Sequence, residues 1–162
     1  MNYSNLAQKT NFTAGSETFP NLLFYLTSVS IPGINFNHAE LGGRGGARLN
    51  VSGDTLTFNS LSFEILIDED FVIYHEFMDE IMKTVNVKTG TFADRDFPFW
   101  VQIDNSKGNP LFRVDFNNCR IESIGDIELT TQDDTTEYTI PVEIKYDYHT
   151  IERGDTAPIL RV

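Results

Sequence analysis

Cysteine and tryptophan are almost absent from this chain, and long apolar runs are missing. Its 162 residues include one cysteine, Cys119, and one tryptophan. No disulfide can therefore form within the chain, and Cys119 is expected to be a small packed side chain. No run approaches the roughly 18 apolar residues of a membrane helix. Because Met1 to Gly15 is polar, we also expect no secretory signal.

Basic residues are scarce, since 12 Lys and Arg face 24 Asp and Glu for a net charge of -12. The imbalance is uneven along the chain. Residues 1–53 carry three bases and two acids, a balance of +1, whereas residues 54–162 carry the other 9 bases and 22 acids, a balance of -13. Such a body repels nucleic acid rather than binding it.

The apolar content is enough for one folded domain, because 40% of the residues are hydrophobic and 13 are Phe. Residues 1–18, rich in Asn, Ser and Thr, are predicted to form an N-terminal arm. We expect the folded domain to span residues 19–149 and a C-terminal tail to span residues 150–162.

One helix is predicted over about residues 70–84. Ile73, Phe77 and Ile81 recur at a spacing of four, which is typical of an amphipathic helix. The acidic run before it suits a helix N-terminus, and Asp68 is placed to cap it. Glu76, Asp79 and Glu80 are expected to form the solvated face.

Most of the remaining segments are predicted to form strands. Residues 54–67 are predicted to form one long strand with a β-bulge near Asn59 and Ser60, where the apolar phase slips by one residue. Pro141 is expected at an edge, a bulge or an outward-facing donor position. Other strands are predicted at 22–29, 97–103, 111–116, 119–124, 127–131 and 137–148.

Glycine is concentrated in one segment, Leu41 to Arg48, which holds four glycines in five residues. These glycines do not favour a helix or strand interior, so a long Gly-rich loop is expected over about residues 34–53. The predicted fold is mainly β: an antiparallel sandwich or barrel with one packed helix.

Catalytic motifs are missing. The helical His75-Glu76-x-x-Asp79 has Asp where a zinc protease helix has its second His. The three histidines are far apart in sequence, and no pair of cysteines supports a metal site. There is no nucleophile elbow and no phosphate-binding loop. We therefore predict that the chain is not an enzyme and needs no cofactor or metal.

The order of these segments resembles the tail tube protein of contractile-tailed phages. The similar segments are Phe19-Pro20-Asn21-Leu22-Leu23-Phe24, Ser30-Ile31-Pro32-Gly33, Arg48 to Asp54, Leu61 to Glu69, Tyr74-His75-Glu76-Phe77, Ser123 to Leu129 and Val142 to Tyr148. They cover about residues 19–149. The arm and the tail appear as additions to the family pattern, and Pro141 lies inside the closing strand. These departures leave open a main tube subunit or a specialised ring at one end of the tube.

The resemblance implies a structural protein that forms hexameric rings stacked into a hollow tube. It implies a tail sheath, a baseplate and a tape measure protein as partners, with DNA passing through the lumen without specific binding. It places the protein in the virion tail, assembled in the cytoplasm of the bacterial host, without a membrane span.

Three groups of residues are candidate sites within such a tube. The inter-subunit loop would comprise Gly42, Gly43, Arg44, Gly45, Gly46 and Arg48. The lumen face would comprise Glu64, Glu137, Glu143, Lys145 and Asp147, although a solvated outer face would give the same alternation. The helix residues Glu76, Asp79 and Glu80 would face the sheath.

Two alternatives remain open. The chain could be the tube subunit of a type VI secretion system or of a phage-like toxin-injecting particle, which has the same fold. It could also be a small β-barrel module that binds a ligand, which requires an apolar pocket and a monomer in solution.

Overall fold

The computed structural model describes residues 9–42, 46, 48–131 and 137–153, with the backbone alone for residues 48 and 49. The described residues form eleven strands and two helices: β1 Phe12–Gly15, α1 Leu22–Tyr25, β2 Leu26–Ser30, β3 Ile34–Gly42, β4 Arg48–Phe58, β5 Leu61–Leu66, α2 Val72–Thr84, β6 Val85–Asn86, β7 Thr91–Phe92, β8 Phe97–Asp104, β9 Pro110–Ile124, β10 Thr139–Lys145 and β11 Tyr148–Arg153.

Seven of the strands form one antiparallel sheet in the order β1-β8-β9-β10-β5-β2, and β11 also pairs with β9. The long strand β9 joins the two halves of this sheet, because its first part pairs with β8 and β11 and its last part pairs with β10. Asn118 lies between these parts with a left-handed φ of 56°. The predicted mainly β, antiparallel fold is confirmed as an open folded sheet, not closed into a barrel within the described residues.

The core lies where the two halves of the sheet face each other. Phe63 of β5 stacks on Phe99 of β8 with ring centroids 5.4 Å apart, and both side chains are almost fully buried. Phe77 of α2 stacks on Phe19 at 4.4 Å and approaches Phe63 at 6.1 Å. Burying each such side chain contributes about 1.5–3 kcal/mol, so α2 is held on the sheet by its apolar stripe.

The predicted helix is confirmed, although it begins at Val72 rather than near residue 70. Asp68 does cap it, since its Oδ1 accepts the Val72 N–H at 3.0 Å. Phe71 adopts a left-handed φ of 54° just before the first turn. That conformation ends the helix on its N-terminal side, and the acids before Phe71 therefore lie outside the helix.

The long Gly-rich loop predicted over residues 34–53 is wrong, because most of it forms the β3–β4 hairpin. Gly42 is the last residue of β3, and Gly46 lies between the two strands. Gly53 has a structural role in β4. A Cβ there would lie 2.5 Å from the carbonyl oxygen of Asn37, so only glycine permits this close approach of the two strands at their register shift.

The single strand predicted over residues 54–67 is also wrong. The alternation of apolar residues shifts by one position at Asn59 and Ser60, because the chain passes there from the β3–β4 hairpin into the main sheet. Strand β4 pairs with β3, whereas β5 pairs with β10 and β2. A bulge and a change of sheet produce the same slip in sequence. Tertiary pairing alone distinguishes them.

Other strand predictions need smaller corrections. Residues 22–29 form α1 and then β2, residues 111–116 and 119–124 join into β9, and residues 127–131 form no strand. The predicted strand 137–148 breaks after Lys145, and the chain then turns to pair β11 with the first part of β9.

The main sheet extends beyond residues 19–149. Strand β1, within the predicted arm, pairs with β8, and β11 continues to Arg153 within the predicted tail. Residues 1–8 of the arm and 154–162 of the tail lie outside the described residues. The division into arm, domain and tail otherwise stays a prediction.

Candidate assembly surfaces

The β3–β4 hairpin projects from the body of the protein. Within the described residues neither of its strands pairs with a third strand, and every residue of β3 is exposed. Its exposed apolar side chains are Ile34, Phe36, Leu41, Val51 and Leu56, each 43–57% accessible. An isolated two-stranded ribbon is only marginally stable in water, and a contiguous exposed apolar patch marks an interaction surface.

The register places apolar residues on both faces of the hairpin. Near its base the apolar pairs are Ile34 with Phe58 and Phe36 with Leu56; nearer the tip, Ala39 lies opposite Val51. Side chains alternate between the faces along a strand. Ala39 lies three positions after Phe36, an odd step along the strand, so the base and the tip present opposite apolar faces. The hairpin is therefore suited to contact on two sides.

The root of the hairpin is fixed in an aromatic cluster. The Phe58 ring lies 5.3 Å from His149 and 5.9 Å from Tyr146, measured between ring centroids. Next to Phe58, the Ser60 hydroxyl donates to Glu122 at 2.9 Å. The hairpin is exposed along its length, but its last residue packs on the core.

The predicted inter-subunit loop is only partly described. Gly42 ends β3, and Gly46 has a φ of +83° with open space around its α-carbon. Arg48 begins β4, with its backbone alone described, and Gly43, Arg44 and Gly45 lie outside the described residues. The pairing of the two arginines with a neighbouring subunit stays a prediction.

The predicted lumen residues lie along β10 and its neighbour β5. Glu143 lies opposite Ser62, and Glu64 lies opposite Pro141, which puts Glu64, Glu143 and Lys145 on one face of the sheet. Lys145 is paired with Glu122 at 3.0 Å, and the hydrogen bonds from Lys145 and Ser60 lower the pKa of Glu122.

The two remaining lumen candidates lie on either side of β10 in the sequence. Glu137 precedes β10, and Asp147 follows it in the turn before β11. The structure therefore brings three of the five candidates onto one face of the sheet and places the other two just outside β10. Which way this face points in an assembly stays a prediction.

A charge cluster around Arg120 has no signal in the sequence. Its Nε lies 2.7 Å from Asp96 and 3.3 Å from Asp94, and its Nη1 lies 3.6 Å from Asp147. These partners raise the pKa of Arg120, with the hydrogen bond to Asp96 as the main cause. The cluster ties the segment before β8 and the β10–β11 turn to β9. The acids are separated from Arg120 by 24 to 27 positions, and only the pairing of strands brings them together.

The solvated acidic face predicted for α2 is wrong for two of its three acids. Glu76 accepts a hydrogen bond from Asn21 at 2.5 Å, and its other carboxylate oxygen is buried without a partner among the described residues. The side chain of Glu80 is 14% exposed and pairs with Lys83 and Arg95 at 3.7 and 3.6 Å. Both residues flank the buried stripe of Ile73 and Phe77.

The outward stripe of α2 is therefore not purely acidic: besides apolar and histidine side chains it carries one acidic and one basic residue. It comprises Val72, His75, Asp79, Met82 and Lys83. Asp79 is the one predicted sheath-facing acid that is exposed on this stripe. The role of the stripe in binding a sheath stays a prediction.

The described residues form clefts that differ in size and lining. One cleft of about 850 Å³ is an open groove with Asp126, Glu128 and Glu137 in its lining, and a pocket between α2 and Phe92 holds about 150 Å³. Pockets for drug-sized ligands are mostly apolar and hold about 300–1,000 Å³. Two of the clefts, of about 440 and 420 Å³, have this size and a mainly apolar lining, and the ligand-binding module stays an alternative.

Cys119 is buried, as predicted for a packing residue, and burial raises the pKa of its thiol to about 12. Across residues 9–42, 46, 48–131 and 137–153, no group of three or more His, Cys, Asp or Glu is arranged to hold a metal ion. None of the helices in this part of the chain is long and apolar enough to span a membrane.

The fold matches solved structures of contractile injection systems over nearly the whole chain. A chain of the anti-feeding prophage cap, which terminates the tube, aligns with a TM-score of 0.67 and 12% identity over 94% of this chain and 95% of its own. A chain of the sheath/tube terminator of the PVC extracellular contractile injection system gives 0.66 and 9% over 93% and 99%. One from the PVC sheath-tube complex gives 0.65 and 10% over 93% and 94%.

These matches define the class of fold, which is that of chains in injection-system tube, cap and sheath structures. The resemblance to the tail tube family is thus confirmed at the level of the fold. The matched structures are a tube cap, a sheath/tube terminator and a sheath-tube complex, and the absence of an enzyme activity in this chain stays a prediction. The sequence itself matches no protein-family model and no curated protein.

Proposed function

We propose that the chain is a structural subunit of the tube of a contractile tail or injection particle. The observation that carries the proposal is the β3–β4 hairpin. Its apolar residues lie on both faces and remain exposed to solvent among the described residues. The shared fold of tube and cap structures supports the same reading.

The subunits form hexameric rings, and the rings stack into a hollow tube. Contacts of this kind are heterologous: one surface of a subunit meets a different surface of the next, and the pattern either closes into a ring or repeats along an axis. A hairpin with two apolar faces suits such an arrangement, because it can lie between two neighbours. A sheath surrounds the tube, and baseplate and tape measure proteins meet it at its end and in its lumen.

In a phage, the tube belongs to the virion tail, is assembled in the host cytoplasm and conducts DNA during ejection. The acidic balance of residues 54–162 suits this role, since a wall that repels phosphate does not retain DNA. A second candidate is the tube of a toxin-injecting particle, which the anti-feeding prophage and PVC structures favour. Purified particles distinguish the two, because phage particles contain packaged DNA and injection particles do not.

The experiment that tests the proposal removes the apolar base of the hairpin. The variant Phe36→Ser combined with Leu56→Ser is expected to remain a folded monomer and to lose ring and tube formation, because both side chains are about half exposed and neither belongs to the packed core of the described residues. Sedimentation velocity and negative-stain microscopy measure assembly, and circular dichroism measures folding.

A matched control is Thr57→Ser, a polar residue on the opposite face at the same level of the hairpin. This control should assemble like the unmodified chain. Normal tubes from the Phe36 and Leu56 variant would refute the hairpin as the joint. An unmodified chain that stays monomeric at every salt concentration and pH tried would argue against the tube itself.

A further inference from the structure

His149 lies buried where the hairpin meets the core. The residue is 5% exposed, and its ring touches three other rings: Phe58 at 5.3 Å, Phe116 at 5.6 Å and Tyr146 at 5.8 Å between centroids. Its Nδ1 is buried and has no hydrogen-bond partner among the described residues. A buried polar atom without a partner is unfavourable, and a buried charge without a partner is far more so.

Among the described residues, no charged group contributes to the shifted pKa of His149. The titratable groups packed in the cluster are Cys119 of β9 and Tyr146 in the β10–β11 turn, and burial raises the pKa of each to about 12. Both are therefore neutral at acidic and neutral pH. Asp147, next along the chain, is held at the surface by Arg120 and Asn118. Burial is accordingly the cause that lowers the pKa of His149.

Phe58 connects this cluster to the projecting hairpin. It is the last residue of β4, and the two residues after it, Asn59 and Ser60, lead directly into β5. Beside the ring contacts, the root of the hairpin is held by hydrogen bonds from Asn35 to Asn59 at 3.1 Å and from Ser60 to Glu122 at 2.9 Å. Both bonds are exposed, so the buried contact at the root is that of Phe58 with Tyr146 and His149.

We propose that His149 is a proton-sensitive latch that holds the hairpin root while neutral and releases it when protonated. Protonation puts an unpaired charge among Phe58, Phe116 and Tyr146, and the protein relieves it by opening the contact so that water reaches the imidazole. Because the hairpin is the proposed joint between subunits, the latch makes tube assembly sensitive to mild acid. This last step rests on the proposed function, whereas the opening itself does not.

The direction with pH follows from linkage. A histidine whose pKa is lowered in the closed state binds its proton more tightly once the root is open. The stabilisation from neutral His149 is therefore fully present above the ordinary histidine pKa of about 6.5. It is lost as the pH falls from there through the lowered value. Each unit by which the pKa is lowered favours opening about tenfold at acidic pH.

The experiment measures hydrogen exchange in β3 and β4 of the unassembled full-length chain at pH 7.5 and pH 5.0, corrected for intrinsic exchange rates. We expect these amides to open more at pH 5.0, about tenfold for each unit by which the pKa of His149 is lowered, with little change in β8. The variant His149→Phe should remove this response. The double variant His38→Gln with His75→Gln keeps His149 as the sole histidine and should retain it.

The double variant also gives a direct readout, because its imidazole NMR signal reports His149 alone. A midpoint below the ordinary histidine value of about 6.5 supports the latch even if His149→Phe does not fold. A midpoint at 6.5 or above overturns it, and so does equal acid-induced opening in His149→Phe. Failure of the tube proposal is distinguishable, since assembly is then absent at pH 7.5 while the exchange and NMR results on the monomer stand.

Discussion

At the scale of single residues, two glycines are fixed by contacts that lie far away in the sequence. Gly53 makes room for the Asn37 carbonyl in the hairpin, and Gly125 makes room for the ring of Pro141. Gly125 donates its N–H to the Pro141 carbonyl at 2.8 Å, beyond the end of β9. In an antiparallel strand the N–H and C=O of one residue point to the same side. The missing donor of Pro141 therefore faces Gly125, beyond the last paired residue of β9, and points away from β5.

The variant Gly125→Ala should be destabilised by about 1–3 kcal/mol, as expected for overpacking. Its Cβ would lie 2.6 Å from Cδ and 2.8 Å from Cγ of Pro141, and a proline ring cannot rotate away. Urea denaturation followed by fluorescence measures the loss. Gly33→Ala is the control, because a Cβ at that position meets nothing within 4 Å. Equal stability of the two variants would show that the close approach to Pro141 is not a constraint.

At the scale of elements, α2 depends on Asp68 for its start. One carboxylate oxygen of Asp68 accepts the Val72 N–H, and the other accepts the Tyr25 hydroxyl at 3.1 Å, which couples α1 to α2. That hydrogen bond, together with the charge on Asp68, raises the pKa of Tyr25. One side chain thus fixes both the first turn of α2 and the approach of α1.

Asp68→Ala is expected to destabilise the protein by about 1 kcal/mol through loss of the cap. Asp68→Asn retains an acceptor oxygen for Val72 and should lose less. Thermal unfolding of both variants beside the unmodified protein makes the comparison. If Asp68→Ala unfolds at the same temperature as the unmodified chain, the cap has no role in stability.

The outward stripe of α2 limits what a sheath can recognise. With Glu76 and Glu80 engaged within the subunit, we propose that Asp79 provides the acidic contact to a basic sheath segment. Asp79→Lys should weaken binding of the cognate sheath, and the effect should shrink as salt rises, because exposed charges are screened over about 8 Å at physiological ionic strength. Co-sedimentation of tube and sheath is the measurement, with His75→Gln on the same stripe as the control. Sheath binding that is unchanged both by added salt and by Asp79→Lys would exclude this contact.

At the scale of the whole molecule, the face shared by Glu64, Glu143 and Lys145 is proposed to line the lumen. Six copies per ring would turn the local excess of acid into a negative belt that repels phosphate. Glu64→Lys combined with Glu143→Lys should leave tube length and ring symmetry unchanged and slow DNA ejection, because a basic wall binds DNA. Ejection into buffer followed by a DNA-binding dye gives the rate. A tube structure with these side chains on its outer surface would end the proposal.

Several features of the protein follow from the sequence alone, because their signals are local. The spacing of Ile73 and Phe77 specifies α2, since the helical period is set within one segment. The alternation through Ile140, Val142 and Ile144 specifies β10 and its buried face in the same way. The order of such segments was enough to indicate the fold that the tube and cap structures share.

Only the tertiary structure decided which strands belong together. It divides residues 48–66 between the hairpin and the main sheet, lets β9 serve both halves of the sheet, and gathers Asp94, Asp96 and Asp147 around Arg120. It also turns Glu76 and Glu80 inward, although their spacing in sequence suits a solvated face. The physical reason is the same in each case: strand pairing and charge pairing are contacts between distant segments, and the local pattern of a segment does not identify its partner.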